Sequence, residues 1–291
     1  MPSRIESLSR IERIAAGTNR TSAAVDEKGR LFTWGLTILL EENEDGELEE
    51  FARPSGLGYE LDAETESQAS PKQVDALSQD RVVGVALAHG FTLAVTDAGA
   101  VFSFGFSRDG GLGHGPLTSE VLPRRIETLA QTRLRFVAVA AGDFHALALT
   151  EECELYGWGA GRANGHGREE RTPQRVAALI GQRVKFVNAR DAASCAVTEK
   201  GELFTWGMGS LGHEGPQVTP KPKQVAGLSG VEVAAAVIGW EHTLAADADG
   251  VVWAFGRRSA LGLGALSPED RSRVRTPTPI PKLRVRVLNS P

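Results

Sequence analysis

Apolar residues occur along this chain in short runs, and glycine-rich turns separate the runs. One run is nearly continuous and made of small residues, as in Phe136-Val-Ala-Val-Ala-Ala, which is typical of a strand buried on both faces. The run that follows, His145-Ala-Leu-Ala-Leu-Thr, is compatible with a second strand. No helical periodicity is seen, so the pattern predicts an all-β protein.

A third kind of run alternates with period two and ends in an aromatic residue followed by glycine. It recurs roughly every fifty residues, a period typical of propeller blades. The five pairs are Trp34-Gly35, Phe104-Gly105, Trp158-Gly159, Trp206-Gly207 and Phe255-Gly256.

Two further signatures share this period. A turn containing Ala-Ala-Gly or a variant lies sixteen or seventeen residues before each aromatic–Gly pair, as at Gly17, Gly142 and Gly239. A Pro-x-x-Val-x-x-Leu segment, with Ile126 and Ile280 in place of Val in two copies, follows each pair. Its proline suits an outer edge strand, so we predict that this segment is the fourth strand. We expect a single domain over 1–291, with blades at about 9–78, 82–129, 134–179, 183–228 and 231–288 and an insertion at 36–70.

These motifs resemble the RCC1 repeat, named after the regulator of chromosome condensation, over nearly the whole chain. The resemblance rests on Ala-Ala-Gly-Asp-Phe-His ending at His145, on the aromatic–Gly strands and on Gly111-Leu-Gly-His-Gly. It implies an all-β, RCC1-like β-propeller with about five four-stranded blades. The family's usual ring has seven blades, so three arrangements stay open: a tighter closed ring, an open arc, or an arc completed by another chain. We favour an arc or incomplete ring that partners stabilise.

Propeller loops project from a rigid framework, and loops commonly carry recognition. We therefore expect a non-catalytic scaffold or adaptor that binds protein partners, as a subunit of a larger complex. The alternative that the resemblance implies is guanine-nucleotide exchange on, or regulation of, a small GTPase. The candidate partner-binding residues are Glu41, Glu42, Glu44, Asp45, Glu47, Glu49, Glu50, Arg108, Asp109, Arg162, Arg168, Trp240, Arg257, Arg258, Arg284 and Arg286.

The acidic residues among these candidates belong to the insertion after Gly35, which extends from about Leu36 to Ser70. Long loops inside compact domains are usually functional or disordered. The insertion is therefore either a solvated loop or a docking surface for a basic partner. A calcium loop is the least favoured interpretation, because the spacing differs from that of an EF-hand.

The histidines and cysteines do not suggest an enzyme, and we expect no catalytic residue, metal or cofactor. His145 and His242 share one slot, which Arg20, Phe91 and Ala193 fill elsewhere, and we predict that a histidine there bonds backbone groups of its blade. His114, His166 and His213 lie one per blade in glycine-rich loops. Cys153 and Cys195 are interpreted as buried, reduced thiols.

Trp240 is the most suggestive single aromatic residue. Plant ultraviolet photoreceptors of the resembled family repeat Gly-Trp-Arg-His-Thr, but the motif occurs here once, with Glu241 in the position of its arginine. The slot therefore cannot supply a tryptophan cluster. Trp34, Trp158 and Trp206 are predicted to be core residues.

The 291-residue chain has a net charge of −5, which makes nucleic-acid binding by its whole surface an unfavoured function. No apolar run reaches the roughly 20 residues that a membrane-spanning helix needs. We expect an intracellular protein that is cytoplasmic or nuclear, and a location inside an organelle stays an alternative.

Overall fold

The computed structural model describes residues 8, 10–18, 20–36, 39–42, 48–51, 56–61, 67–263 and 272–286, and for 39–42 and 48–51 it describes the backbone alone. Five four-stranded antiparallel sheets follow one another along the chain. The expected all-β propeller of about five blades is thereby confirmed.

Blades 1 to 5 contain the following strands. Blade 1 has β1 (Ile11–Ala16), β2 (Thr21–Asp26), β3 (Leu31–Leu36) and, after the hairpin β4 (Leu39–Glu42) and β5 (Leu48–Phe51), β6 (Ser67–Gln73). Blade 2 has β7 (Val82–Leu87), β8 (Phe91–Thr96), β9 (Val101–Phe106) and β10 (Ser119–Arg125). Blade 3 has β11 (Phe136–Ala141), β12 (His145–Thr150), β13 (Leu155–Gly159) and β14 (Glu170–Arg175). Blade 4 has β15 (Val184–Arg190), β16 (Ala193–Thr198), β17 (Leu203–Met208) and β18 (Val218–Gln224). Blade 5 has β19 (Val233–Ile238), β20 (His242–Asp247), β21 (Val251–Arg257) and β22 (Arg273–Arg284).

The helical elements are single turns. One α-helical turn spans Glu127–Ala130, and the 3₁₀ turns span Asp75–Leu77, Ala177–Leu179, Ala226–Leu228 and Arg258–Ala260. Four of the five lie where the sequence has Val-x-x-Leu or, in blade 2, Ile-x-x-Leu. The prediction that this motif belongs to the fourth strand is wrong for these blades, because it forms the turn after that strand. The turn buries both of its apolar residues, as Ile126 and Leu129 show in blade 2. In blade 5, by contrast, Ile280 and Leu283 lie within β22 itself.

The insertion in blade 1 also differs from the expected loop. β4 and β5 form an antiparallel hairpin, because residues 39–42 pair with residues 48–51. Further along, Leu57 is buried and its carbonyl accepts a bond of 2.6 Å from Thr33 Oγ1. In blade 2 the carbonyl of Leu112 accepts an equivalent bond from Ser103 Oγ. Gly56-Leu57-Gly58 is therefore the first copy of the Leu-Gly motif, which the sequence analysis overlooked inside the insertion.

Neighbouring blades pack face to face, and in blades 2 to 5 the third-strand aromatic is the centre of the joint with the preceding blade. We call the side of a blade that carries this aromatic its leading face, and the other side its trailing face. Trp158 of blade 3 packs on the trailing face of blade 2, against Leu93 and Val95, and is fully buried. Its indole Nε1 donates a bond of 2.7 Å to the carbonyl of Gly111 in blade 2. The preceding blade thus covers the apolar ring of Trp158 and also accepts the hydrogen bond from its indole nitrogen.

The five blades form an open arc. Inner strands contact one another in chain order, from β1 through β7, β11 and β15 to β19. In the part of the chain that the structure describes, β1 and β19 make no comparably extensive contact. The leading face of blade 1 and the trailing face of blade 5 therefore lack the cover that the four internal joints provide. Trp34 is accordingly half-buried, which corrects its prediction as a core residue, whereas Trp158 and Trp206 are fully buried.

Candidate protein-interaction surface

The antiparallel order of each blade brings two kinds of loop to one side of the arc. The turn between the first and second strands and the loop between the third and fourth strands both lie at this side, which we call the loop face. All candidate residues but two belong to these loops or border them. Arg284 and Arg286 are exposed at the end of the fourth strand of blade 5, on the opposite side.

Trp240 is the most exposed large apolar side chain of the loop face, at 75%. The next residue, Glu241, is half-buried and accepts bonds from Arg257 and from Arg273, the second at 2.9 Å. The backbone carbonyl of Glu241 also accepts a bond from Ser210 Oγ of blade 4. The loop that presents Trp240 is therefore held from both sides, so the indole is exposed on a fixed support.

The basic candidates of blade 5 differ in their surroundings. Arg257 and Arg258 are both half-buried, and Arg257 is paired with Glu241. Arg275 is exposed close to Arg273, beside a shallow crevice lined by the glycine-rich loop of blade 4. An exposed aromatic beside arginines has the composition of binding hot spots.

The candidates of blades 2 and 3 lie in the loops that follow β9 and β13. Arg108, Arg162 and Arg168 are exposed, and Arg168 pairs with Glu170 at 2.6 Å. Asp109 is half-buried; burial and, less strongly, the charge of Glu169 raise the pKa of its carboxyl group.

The acidic candidates are the least defined part of the surface. The structure places the backbone of Glu41, Glu42, Glu49 and Glu50 in the hairpin β4–β5, on the loop face of blade 1. Glu44, Asp45 and Glu47 lie outside the described residues. Partner binding by these acidic residues stays a prediction, as does that by the other candidates.

The candidate residues leave out several exposed apolar side chains of the loop face: Phe144, Met208 and, at the start of β18, Val218. Phe144 is 43% exposed in the first turn of blade 3, and Met208 is exposed at the end of β17. Phe144 lies between Gly142 and His145, inside the turn motif that recurs with the repeat, so the motif alone does not mark it as exposed. The motif does not specify the residue before the histidine, so a large aromatic at that position was a signal in the sequence that could have indicated Phe144.

The prediction that His145 bonds backbone groups of its own blade is wrong. His145 Nε2 lies 2.6 Å from Ser194 Oγ of blade 4, so the ring bonds a side chain across a joint rather than backbone of its own blade. Both side chains are fully buried, and burial lowers the pKa of His145 to about 3. In blade 1 the residue equivalent to His145 is Thr21 and not Arg20, because Thr21 pairs with Gly35 as His145 pairs with Gly159. Arg20 is an extra residue of that turn and has a positive φ of 54°.

The loop histidines are separate from one another. His114 Nε2 lies 2.8 Å from Ser103 Oγ, and His213 Nε2 lies 2.9 Å from Thr205 Oγ1, so each fastens its own loop. Burial lowers the pKa of His114 to about 4. No group of three or more His, Cys, Asp or Glu side chains suited to a metal ion occurs among the described residues.

The two cysteines have different environments. Cys195 is fully buried in the joint between blades 4 and 5, and burial raises the pKa of its thiol to about 12. Cys153 is only half-buried and lies 3.4 Å from Glu199 and 3.5 Å from Arg183. The prediction of a buried thiol in apolar surroundings is therefore wrong for Cys153.

A narrow cavity of about 290 Å³ lies on the axis of the arc and is lined by all five inner strands. Its polar groups lie at the loop face: Thr18 donates a bond of 2.9 Å to Asp143, which links blades 1 and 3 across the axis. Burial and the nearby Asp143 raise the pKa of Asp191.

Five four-stranded blades around an axis, with recurring aromatic–Gly strands and loops gathered on one face, define a propeller-type repeat protein. The model of the regulator of chromosome condensation (RCC1) repeat matches residues 98–149 and 200–246, and a second RCC1 repeat model matches 136–168. The chain belongs to the RCC1-like repeat family, which confirms the resemblance found in the sequence.

Similar proteins include E3 ubiquitin-protein ligase HERC2 of Homo sapiens, 31% identical over 83% of this chain and 5% of HERC2. The ultraviolet-B receptor UVR8 of Arabidopsis thaliana is 31% identical over 67% of this chain and 46% of the receptor. The fold is similar to that of Prp20p from Saccharomyces cerevisiae, a protein with binding properties to Gsp1p and histones. That match has a TM-score of 0.72 and 21% identity, and covers 93% of this chain and 63% of Prp20p. The chain thus spans less than two thirds of each of these relatives.

None of the helices in the described ranges is long and apolar enough to cross a membrane.

Proposed function

We propose that this chain is a non-catalytic protein-interaction module that binds a protein partner through its loop face. The observation that carries the proposal is the exposure of Trp240, at 75%, on a loop that Glu241, Arg257 and Arg273 hold in place. A large aromatic on a rigid support binds at low conformational cost, and tryptophan and arginine are enriched among hot-spot residues.

The burial of the His145–Ser194 pair supports the non-catalytic part of the proposal. A serine hydroxyl within 2.6 Å of an imidazole is a familiar nucleophile arrangement, but both side chains are 0% exposed. A substrate could reach them only if the joint between blades 3 and 4 opened.

The test compares Trp240→Ala with Ile180→Ala, a truncation of another exposed apolar residue outside the loop face. Partners captured by the tagged chain from its native cells would be identified and their affinities measured by titration. We expect Trp240→Ala to weaken partner binding about tenfold or more, since hot-spot truncations cost about 2 kcal/mol. Equal affinity of the two variants would contradict the loop-face site.

The alternative is exchange or regulation of a small GTPase, which the likeness to Prp20p, with its binding properties to Gsp1p, supports. A nucleotide-release assay over a panel of small GTPases separates the two. Accelerated release at substoichiometric amounts of this chain would favour the exchange function, whereas stoichiometric partner binding without release would favour the scaffold.

A further inference from the structure

The loop after β17 in blade 4 is shorter than its counterpart after β9 in blade 2. Leu112 and Leu211 are equivalent residues of these loops, because the carbonyl of each accepts a bond from a hydroxyl group of the third strand. The segment from Gly207 to Leu211 is three residues shorter than the segment from Gly105 to Leu112. The loop of blade 4 therefore covers less of the blade that follows it.

The short loop leaves one arginine of blade 5 uncovered. Arg171 of β14 and Arg275 of β22 are equivalent, because each follows the residue that pairs with the glycine of the aromatic–Gly strand. A methyl group added at Gly110 of blade 2 would meet the Cα atom of Arg171 at 2.8 Å. One added at Gly209, the equivalent position of blade 4, would meet only the carbonyl oxygen of Trp240, at 4.0 Å. The loop of blade 4 therefore stops short of Arg275, and the crevice is the space between them.

Arg275 also lacks the ion pair that its counterpart makes. Arg171 pairs with Glu169 at 2.6 Å. Arg275 is exposed and has no carboxylate partner in the part of the chain that the structure describes. The described residues that line the crevice include Arg273 and Arg275 but no acidic side chain. Positive charge in the crevice is therefore unbalanced.

The turn that presents Trp240 borders this crevice and adds to its positive charge. Ser210 lines the crevice and donates a bond of 2.7 Å to the carbonyl of Glu241. The carboxylate of Glu241 is shared by Arg257 and Arg273. Because one carboxylate compensates only one of two guanidinium groups, an exposed indole and an excess of positive charge lie side by side.

We propose that the crevice binds a carboxylate of an extended acidic segment of the partner protein, and that an apolar side chain beside that carboxylate packs on Trp240. This inference rests on the proposed function and specifies the chemistry of the partner. Arginine binds carboxylates through two parallel N–H donors, so Arg273 and Arg275 can orient the acidic side chain. The opposite wall contains glycines, which let the main chain of a bound segment approach closely: Gly209, Gly212 and Gly215.

The first measurement uses the full chain and the partner captured with it from native cells. Arg275→Glu reverses the charge in the crevice, and Arg171→Glu makes the same change at the equivalent position of blade 3. We expect Arg275→Glu to weaken binding at least about tenfold, because like charges would then face each other, and Arg171→Glu to change it less than about twofold. Similar urea midpoints of the two variants would show that misfolding is not the cause.

Trp240→Ala separates this inference from the proposed function. If Trp240→Ala weakens binding while Arg275→Glu binds as strongly as the unaltered chain, the crevice proposal fails and the loop-face site stands. If neither variant changes the affinity, both proposals fail. Tighter binding by Arg275→Glu would indicate a basic partner and would also overturn the crevice proposal.

A second measurement identifies the carboxylate and does not depend on the folding of Arg275→Glu. Arg275→Lys keeps the charge and adds an amine, which a zero-length carbodiimide reagent joins to a carboxylate in contact with it. Arg171→Lys is the internal standard, because it should couple to Glu169 of the same chain.

We expect position 275 to couple to an Asp or Glu of the partner that has a large apolar residue within about two positions, the reach of neighbouring side chains on an extended segment. Coupling to a partner acid without such a neighbour would overturn the proposal. Coupling only within this chain, or no coupling while Arg171→Lys gives its product, would overturn it as well.

Discussion

Trp206 and Trp34 occupy equivalent positions of the repeat, but only Trp206 is covered by a neighbouring blade. Trp206 is fully buried on the trailing face of blade 3, and its indole donates a bond of 2.7 Å to Ala163. Trp34 is half-buried, and no partner of its indole nitrogen is found among the described residues. The comparison teaches that a blade supplies half of a joint, and that an aromatic becomes a core residue only when a second sheet covers it.

The largest expected effect follows from removing each tryptophan. We expect Trp206→Ala to lower the free energy of unfolding by about 3–5 kcal/mol, through the cavity and the orphaned Ala163 carbonyl. Trp34→Ala should cost only about 1 kcal/mol, because its ring is already partly hydrated. Urea unfolding of both variants at neutral pH measures the difference. Equal losses would mean that the leading face of blade 1 is as well covered as an internal joint.

A smaller effect distinguishes the buried His145 from its counterpart His242, which is half-buried at the uncovered end. Burial lowers the pKa of His145 to about 3, while a histidine in the unfolded chain titrates near 6.5. The unfolded state therefore binds an extra proton between these values, so stability is retained above pH 6.5 and lost as the pH falls. One such group contributes a slope of up to about 1.4 kcal/mol per pH unit.

His145→Phe, which copies Phe91 from the same slot in blade 2, should flatten this acid-side slope. His242→Phe is the matched control, because it makes the same replacement at the half-buried copy of this position. Chemical denaturation between pH 4 and 7 checks both variants. An unchanged slope in His145→Phe would show that this histidine is not the proton-binding group.

The smallest perturbation uses thiol labelling. Cys195 and Leu244 occupy equivalent positions on the trailing faces of blades 4 and 5, the first in a closed joint and the second at the open end. In a Cys153→Ser background, the thiol of Leu244→Cys should react at least about a hundredfold faster than that of Cys195, whose exposure needs the joint to open. Comparable slow rates would show that something already covers the trailing face of blade 5.

Much of the fold could be predicted because strands and turns leave local signals. The aromatic–Gly strands ending at Gly159 and Gly207 were found at their places, since alternation and glycine are properties of a few adjacent residues. The extra residue at Arg20 was missed because hairpin register is set by pairing, which placed Thr21 rather than Arg20 opposite Gly35. The bond from His145 to Ser194 was missed because it joins two blades.

The candidate surface was predicted in part. Charged and aromatic residues in loops indicated Trp240 and Arg257, but the sequence could not show that Glu241 holds Arg257 and Arg273 together. The exposure of Phe144 could not be predicted from the sequence either, because the position of a residue in a motif does not show whether other residues cover its side chain.

The sequence by itself determined the repeat, the strands within each blade and the membership of the RCC1-like family, because these depend on spacing within about fifty residues. The tertiary structure alone decided which aromatics are covered and that the five blades form an open arc. The physical reason is that burial and cross-blade hydrogen bonds belong to pairs of sheets. A single strand encodes only its own side of such a pair.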